Sequence, residues 1–313
     1  MRRQDFQGRD FLTLMDYTKE EIDFILDMAT DLKKKEQTKE PHEFLRGRTV
    51  AMIFEKKSTR TRTSFQAGVA QLGGQSFYMR PEEMQLGRGE PIKDTARVID
   101  RYCDALVIRT FGQEIVEEFS FYMKNPVINA LTDLTHPCQG LADLLTIREK
   151  KNRLKGLKVV YTGDVWNVCH TWSIIAPMTG MDLFVARPKG YDPNPRIQKK
   201  SMELTGRSGT KVVYTDDFDE ALDQADIVYA NTWHSMGGPE KNKEQRIKDF
   251  SPYQVNTRAL AKARKDAIFM HPLPSYRGEE ITDEVIEGPQ SVVWDQAENR
   301  LHTEKAVLYL VVR

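Results

Sequence analysis

Residues 49–72, TVAMIFEKKSTRTRTSFQAGVAQL, place an apolar run, a polar turn and an amphipathic run in direct succession. The apolar run 49–54 predicts a buried strand, and the spacing of Phe65, Val69 and Leu72 predicts a helix with one apolar face. A strand followed by a turn and a helix is the repeating unit of a parallel α/β sheet. The first half of the chain is therefore predicted to have an α/β fold.

The turn in this stretch carries charges that its position disfavours. Ser58 is a candidate N-cap, and Arg60 and Arg62 follow it in the predicted first turn of the helix. The helix dipole already makes that end positive, so two arginines there repel it. An anion held by the backbone N–H groups, the hydroxyls and the guanidinium groups would remove the conflict. The alternative interpretation is a simple helix cap followed by solvated arginines.

Strands and helices alternate along the rest of the chain as well. Residues 18–35 predict an amphipathic helix with Ile22, Ile25, Leu26 and Met28 facing inward, and residues 136–152 predict a long helix. The first half also contains candidate strands at 104–110 and 125–132. In the second half the candidate strands are 157–164, 182–188, 210–215, 225–232, 266–274 and 291–295. The pattern predicts an α/β fold with two doubly wound parallel-sheet domains joined by long helices.

The composition excludes several classes of protein. The chain has 313 residues, with 46 Lys and Arg and 46 Asp and Glu, so it lacks the basic excess of a general nucleic-acid or membrane-surface protein. No apolar run is long enough to cross a bilayer, and the first residues have no apolar signal core. The three cysteines, Cys103, Cys138 and Cys169, are far apart, which favours a reducing cytoplasm over a disulfide framework or a zinc site.

Polar residues collect where the predicted strands of the second half end. They are Asp164, Asn167, the segment 231–236 and His271. In a doubly wound sheet, ligands bind outside the carboxyl ends of the strands. The turn after the strand 157–164 has no G-x-G-x-x-G pattern, which argues against a dinucleotide-dependent oxidoreductase.

Other candidate residues also lie at the ends of predicted elements. His136 and Gln139 open the long helix, Arg109 ends a strand, His271-Pro272-Leu273-Pro274 follows another, and Arg300 lies near the C-terminus. Read singly, these are a helix cap, a solvated arginine, a strand terminator and an exposed helix residue. Together they form a set of arginines, histidines and hydroxyls in a chain of zero net charge. Such a set suits a phosphate that carries an additional polar group.

The motifs STRTR (58–62), HPCQ (136–139), SMG (235–237) and HPLP (271–274) together resemble the aspartate/ornithine carbamoyltransferase family. The resemblance extends over essentially the whole chain. The stretches FEKKSTRTRTSF, QLGRGEPIKDTARV and HPCQGLADLLTI are most similar to its ornithine carbamoyltransferase branch. The resemblance implies transfer of a carbamoyl group from carbamoyl phosphate to the side-chain amine of L-ornithine, giving citrulline and phosphate.

The resemblance also implies a domain organisation and an assembly. A carbamoyl-phosphate domain would span 1–146, with a C-terminal helix at about 297–313 packing back on it, and an ornithine domain would span 147–296. The family is expected to form a homotrimer or a multiple of trimers, with Gln85 offered to a neighbouring subunit's site. It needs no cofactor, metal, nucleic acid or membrane. The Leu273-Pro274 bond is expected to be cis.

Site residues follow from the same resemblance. The expected catalytic residues are Arg60, Thr61, Arg109 and His136. The residues expected to bind carbamoyl phosphate are Ser58, Thr59, Arg60, Thr61, Gln85, Arg109, His136, Gln139, Pro272, Leu273 and Arg300. The residues expected to bind the amine substrate are Asn167, Asn231, Ser235 and Met236.

Departures from the ornithine pattern lie on the amine side. Asn231 occupies a position where that pattern has aspartate, Pro272 replaces a cysteine, and Val165-Trp166 replace smaller or polar residues. Loss of the carboxylate at position 231 removes a charged partner for an α-ammonium group. These differences leave two alternatives open: neutral drift in an ornithine enzyme, or a carbamoyltransferase with a different amine or amino acid as substrate.

Further alternatives have specific requirements. An aspartate enzyme would need arginines for a dicarboxylate, and neither the loop 231–237 nor the turn 165–172 contains one. A putrescine enzyme would not need Asn167 and Ser235, which are present. A catalytically silent carbamoyl-phosphate-binding homologue would not need the complete set of phosphate-binding residues, which is present here.

Overall fold

The computed structural model describes residues 1–235 and 243–313, which form two compact units. The first unit comprises Met1–Leu145 and Glu298–Arg313, and the second comprises Thr146–Ala297. Each unit contains one sheet, and all the strand pairs of both sheets are parallel. The predicted fold class, two parallel-sheet α/β domains, is confirmed.

The sheet of the first unit has four strands in the order β2-β1-β3-β4. They are β1 (Thr49–Phe54), β2 (Gln75–Met79), β3 (Ala105–Arg109) and β4 (Val127–Leu131). Winding starts at β1 and proceeds in both directions, so the neighbours β1 and β3 form the switch point of the sheet. Phe54 pairs with Arg109 there, which brings the turn after β1 beside the end of β3.

The second unit repeats this arrangement with five strands in the order β7-β6-β5-β8-β9. They are β5 (Lys158–Thr162), β6 (Asp182–Ala186), β7 (Val212–Thr215), β8 (Ile227–Ala230) and β9 (Ile268–Met270). The switch point lies between β5 and β8. Gly163 follows β5 with φ +125°, and a Cβ there would lie 2.2 Å from the Asn231 carbonyl oxygen. Only glycine therefore allows the ends of β5 and β8 to approach this closely.

Helices connect the strands of both sheets. The helices of the first part of the chain are α1 (Lys19–Gln37), α2 (Arg60–Gln71), α3 (Ile92–Tyr102), α4 (Gln113–Tyr122) and α5 (Pro137–Lys151). Those that follow are α6 (Asn167–Thr179), α7 (Pro195–Ser208), α8 (Phe218–Leu222), α9 (Lys243–Phe250), α10 (Thr257–Leu260), α11 (Asp283–Ile286) and α12 (Val293–Val311). The chain passes from one unit to the other inside α5 and again inside α12.

Most strands of both sheets are buried at consecutive positions, so both faces of each sheet are covered, and side chains at alternate positions share one face. In the first unit, Leu106 and Ile108 of β3 belong to one apolar cluster with Ile99 of α3 and Phe119 of α4. In the second unit, Val160 of β5, Val228 of β8 and Phe269 of β9 belong to one apolar cluster with residues of α8, α10 and α11. No helix within the described residues is long and apolar enough to cross a membrane.

Several local predictions were wrong. Met28 is only partly buried, because Ile22, Ile25, Ala29 and Leu32 form the buried face of α1. The segment 291–295 is not a strand: Ser291 makes a single bridge to Phe269, and α12 begins two residues later. A short run of β-branched residues fits a strand or the start of a buried helix equally well, and the continuous helix to Val311 decided the outcome.

Candidate active site

The turn after β1 delivers the amino end of α2 to the switch point of the first sheet. The N-cap of α2 is Thr59 rather than the predicted Ser58, and the Thr59 side chain accepts no capping hydrogen bond. The N–H groups of the first turn therefore lack the side-chain cap that the simpler interpretation of this turn required. Ser58 and Thr59 also line an open cleft of about 540 Å³, so this end of the helix is accessible.

Arg109 enters the same place from the end of β3. It is only 5% exposed, and its Nη1 lies 3.5 Å from the Ser58 hydroxyl, a weak contact at best. Its buried Nε has no hydrogen-bond partner in the described part of the chain. Burial, and then Arg300 and Arg60, lower the pKa of Arg109 to about 10. A buried guanidinium with an unused donor and cationic neighbours is a site prepared for an anion.

Arg300 reaches the group from α12 and is not the exposed helix residue of the simplest interpretation. It is 3% exposed; its Nη1 donates to the Gln139 side-chain oxygen at 2.8 Å, and its Nη2 donates to the Thr61 hydroxyl at 2.9 Å. Gln139 in turn donates to Asp143 at 2.8 Å. Arg300 thus links the first turns of α2 and α5.

His136 precedes α5 and is buried beside these arginines. Its carbonyl oxygen accepts the N–H groups of Gln139 and Gly140, at 3.1 and 3.2 Å. Burial, with Arg300, Arg109 and Arg60 adding to it, lowers the pKa of His136 well below its usual value. The imidazole is therefore neutral near pH 7, and it can donate a hydrogen bond to a developing oxyanion without adding another positive charge.

The first unit therefore brings together the sequence-predicted residues Ser58, Thr59, Arg60, Thr61, Arg109, His136, Gln139 and Arg300, which we call the anion corner. Gln85 is exposed at the start of a 3-10 helix, and no hydrogen bond joins its side chain to the corner within the described residues.

A second polar cluster lies at the ends of β5 and β8 in the other unit. Asn231 is buried; its amide Nδ2 donates to the Tyr161 hydroxyl at 3.0 Å, and its Oδ1 accepts the Thr232 N–H at 2.9 Å. The Ser235 N–H donates to Asp164 at 3.1 Å. This places Asn231, Asp164 and Ser235 together, as the positions at the strand ends predicted, whereas Met236 falls outside the described residues.

Arg246 of α9 organises this second cluster, and sequence reasoning missed it. Its Nη2 forms a buried ion pair with Asp164, and its Nε donates to the Trp233 carbonyl at 2.8 Å. Its guanidinium also lies 4.9 Å from the centre of the Tyr191 ring. In the sequence, Arg246 is one of several charged residues of α9, and no local pattern distinguishes it from the solvent-exposed ones. Because Arg246 neutralises Asp164, that carboxylate is already paired.

Asn167 begins α6 and is buried, next to the half-buried Trp166. Trp166 contacts His170, with the ring centres 6.1 Å apart. The predicted role of Asn167 in binding an amine substrate stays a prediction. In the described part of the chain no group of three His, Cys, Asp or Glu side chains is arranged to hold a metal ion.

His271 fixes the segment that contains Pro272 and Leu273. The Leu273 N–H donates to His271 Nδ1 at 2.9 Å, so the ring proton lies on Nε2, which faces Glu280 at 3.1 Å. The Leu273-Pro274 bond is cis, as predicted. The two residues belong to the second unit, and their predicted part in binding carbamoyl phosphate stays a prediction.

Two family models together match almost the whole chain. The carbamoyl-P binding domain of aspartate/ornithine carbamoyltransferase matches residues 9–149, and the Asp/Orn binding domain of the same family matches residues 155–311. The chain belongs to the aspartate/ornithine carbamoyltransferase family. The predicted family is thereby confirmed, and the anion corner lies inside the part that matches the carbamoyl-P binding domain.

Individual carbamoyltransferases are similar over their full length. An ornithine carbamoyltransferase of Halalkalibacterium halodurans is 51% identical over 96% of this chain and 94% of its own. An anabolic ornithine carbamoyltransferase of Pyrococcus furiosus is 49% identical over 97% of this chain and 96% of its own. The solved structure of an ornithine carbamoyltransferase from Pyrococcus furiosus has a TM-score of 0.94 at 48% identity, covering 98% of each chain.

The contribution of the buried ion pair between Asp164 and Arg246 to the stability of this carbamoyltransferase can be tested by mutation. Replacing Arg246→Ala leaves Asp164 as an unpaired buried charge, so we expect the free energy of unfolding to fall by about 3–5 kcal/mol. Urea unfolding of the purified variant measures this. The control is Lys262→Ala, which breaks the more exposed pair with Asp219 and should lower it by about 0–1 kcal/mol. Equal losses in the two variants would show that Arg246 has no special structural role.

Proposed function

We propose that this member of the family transfers the carbamoyl group of carbamoyl phosphate to the side-chain amine of L-ornithine, giving citrulline and phosphate. The observation that carries the proposal is the anion corner, where the buried Arg109 and Arg300 meet the uncapped amino end of α2. Relatives about 50% identical over nearly the whole chain are named ornithine carbamoyltransferase, which supports ornithine as the amine.

The first unit binds carbamoyl phosphate in this proposal. Ser58, Thr59, Arg60 and Thr61 surround the phosphate through their side chains and through the N–H groups at the start of α2, with Arg109 beside them. Phosphate oxygens are well matched to guanidinium forks and to helix amino ends. His136, Gln139 and Arg300 then hold the carbamoyl group. An anion here would also give the unused Nε donor of Arg109 an acceptor.

The reaction follows from the charges that develop in it. The neutral amine nitrogen attacks the carbamoyl carbon, a C–N bond forms, and negative charge builds on the carbonyl oxygen. Thr61, Arg109 and the neutral His136 are the donors for that oxygen. The C–O bond to phosphate then breaks, phosphate leaves with the electron pair, and the ammonium proton passes to it. Holding the two reactants in line supplies much of the remaining acceleration.

The second unit binds the amine substrate in this proposal. Asn167, Asn231, Ser235 and Met236 would contact the α-amino and α-carboxylate groups. The functional assembly would be a homotrimer in the cytoplasm, or a multiple of trimers, with Gln85 reaching a neighbouring subunit. The reaction needs neither a cofactor nor a metal.

One observation favours a second candidate, a carbamoyltransferase for an amine other than ornithine. Asn231 offers an amide where the ornithine pattern has a carboxylate, and the nearby Asp164 is already paired with Arg246. An α-ammonium group would therefore find little free negative charge among the described residues of this cluster.

A panel of amines separates the two candidates. Carbamoyl phosphate is supplied with ornithine, lysine, putrescine, N-acetylornithine or aspartate, and both the ureido product and released phosphate are measured. We expect ornithine to give the highest kcat/KM. A higher value for another amine would establish the second candidate. Absence of phosphate release with every amine would point to a silent carbamoyl-phosphate-binding homologue.

Arg60→Ala tests the anion corner directly. Arg60 is half-buried next to Arg300, and burial followed by Arg300 lowers its pKa. Removing a charged donor of this kind is expected to reduce kcat/KM for carbamoyl phosphate by on the order of 100- to 1000-fold, as measured by citrulline formation. Arg48→Ala, which removes an arginine from a partly exposed pair with Asp104, is the matched control and should retain the wild-type rate. Near-normal turnover by Arg60→Ala would refute the role assigned to this residue.

Asn231→Asp tests the amine side. The new carboxylate can pair with the α-ammonium of ornithine, and a charged hydrogen bond of this kind contributes about 1.5–3 kcal/mol. The Thr232 N–H already donates to this position, and the Tyr161 hydroxyl can donate to the new carboxylate by giving up its hydrogen bond to the Asp164 carbonyl oxygen. We therefore expect kcat/KM for ornithine to rise roughly tenfold, with Asn231→Ala as the control that gains no charge. A fall in ornithine turnover of Asn231→Asp below that of the wild type would contradict this view of position 231.

A further inference from the structure

Glu304 is a buried carboxylate that is not among the residues predicted for the site. It lies on α12 one turn after Arg300, and its residue exposure is 0%. An ionised carboxylate is rarely placed in such a position unless specific partners hold it. Both of its oxygen atoms have partners, and one of these partners is a member of the anion corner.

The contacts of Glu304 are directed at the guanidinium of Arg300. Its Oε1 accepts from Arg300 Nε at 3.0 Å and from Nη2 at 2.5 Å. Its Oε2 accepts from the Ser64 hydroxyl at 2.5 Å, and Ser64 lies on α2 one turn after Thr61. Glu304 is thus tied to the helix whose amino end forms the corner.

These contacts determine where the rest of the guanidinium points. The group is planar and its donors form a rigid fork. With the Nε and Nη2 edge held by Glu304, Nη1 is directed at Gln139 and the remaining donor of Nη2 at Thr61. A long arginine side chain without this anchor would have several rotamers available, and only some of them present it to the corner.

We propose that Glu304 is a positioning residue that orients Arg300 for binding carbamoyl phosphate. This inference rests on the proposed function, because it assumes that Arg300 meets carbamoyl phosphate in the anion corner. Glu304 itself touches neither substrate. Its effect passes through the direction of the Arg300 donors.

The charge of Glu304 has a separate effect that the test must distinguish from its geometry. The groups that face it are Arg300 on its own helix and Ser64 on α2, and Cys138 on α5 is also within electrostatic range. Burial raises the pKa of Glu304 to about 7, although Arg300 and Ser64 act in the opposite direction. At pH 8 the carboxylate is therefore mostly ionised, and its charge partly cancels that of Arg300.

Two substitutions separate geometry from charge. Glu304→Gln keeps an oxygen that accepts from Arg300, and its amide can donate to the Ser64 hydroxyl, so the orientation survives without the charge. Glu304→Ala removes both. Glu298→Gln is the matched control, because Glu298 lies on the same helix and pairs with His302 away from Arg300.

The measurements are steady-state kinetics at pH 8 and calorimetric binding of carbamoyl phosphate without an amine. For Glu304→Ala we expect kcat/KM for carbamoyl phosphate to fall on the order of 100-fold, since small displacements of a positioning group have effects of this size. The affinity for carbamoyl phosphate should weaken, while KM for ornithine changes little. Glu304→Gln should stay within about threefold of the wild type, well short of that loss, and Glu298→Gln should match the wild type.

Stability is measured at the same time, so that unfolding is not mistaken for mispositioning. A buried carboxylate whose pKa is raised favours the protonated folded state, so wild-type stability should fall relative to Glu304→Gln as the pH rises from about 4.5 to about 7. If Glu304→Ala does not fold, Ser64→Ala replaces it, with a smaller rise in KM for carbamoyl phosphate expected.

The outcomes decide the inference. Wild-type kinetics in Glu304→Ala, or in Ser64→Ala if it is used instead, would overturn it. Equal impairment of Glu304→Gln and Glu304→Ala would also overturn it, because charge rather than orientation would then be what matters. If the wild type binds carbamoyl phosphate but forms no citrulline, either another amine is its substrate or the protein is a silent homologue, and the binding data still decide the role of Glu304. If it does not bind carbamoyl phosphate at all, the proposed function and this inference both fail.

Discussion

The mutual repulsion of buried arginines at the amino end of α2 is the constraint on which the anion corner depends. Arg109 and Arg300 are almost completely buried. Burial, and then Arg300, Arg109 and Arg60, lower the pKa of His136 below its usual value. A helix amino end adds further positive potential. Such an arrangement opposes folding unless something compensates it. The protein compensates Arg300 with Glu304 and leaves Arg109 with an unused donor, so the remaining imbalance is available to a bound anion.

The two units place polar residues at the same point of their sheets, but the net charge there differs. In each, the ends of the two strands at the switch point carry the polar residues, because parallel strands that wind in both directions leave a crevice there. In the first unit positive charge remains in excess at that point. In the second, Asp164 is neutralised by Arg246 and Asn231 carries no charge. One crevice is suited to an anion, and the other presents mainly neutral hydrogen-bonding groups.

Side-chain support in both crevices comes from residues distant in sequence. Ser64 of α2 holds Glu304 of α12, Arg300 of α12 reaches Thr61 on α2, and Arg246 of α9 reaches back to Asp164 after β5. The buried His271 faces Glu280 and accepts from the Leu273 N–H, and it holds the segment after β9 in a comparable way. In each case a buried polar side chain has a partner from another segment of the chain.

The sequence by itself determined the strand–turn–helix pattern, the parallel sheets and the identity of the residues in the anion corner. It could do so because alternation of apolar and polar residues is local, and because STRTR and HPCQ are each contiguous. Where local patterns were ambiguous, as at 291–295, only the packing of the continuous helix α12 decided the structure. Burial of Arg300, the capping of α2, the hydrogen bond from Ser64 to Glu304 and the pairing of Arg246 with Asp164 were also decided by the tertiary structure. Burial and pairing depend on which distant segments meet, and no spacing along a single chain specifies that.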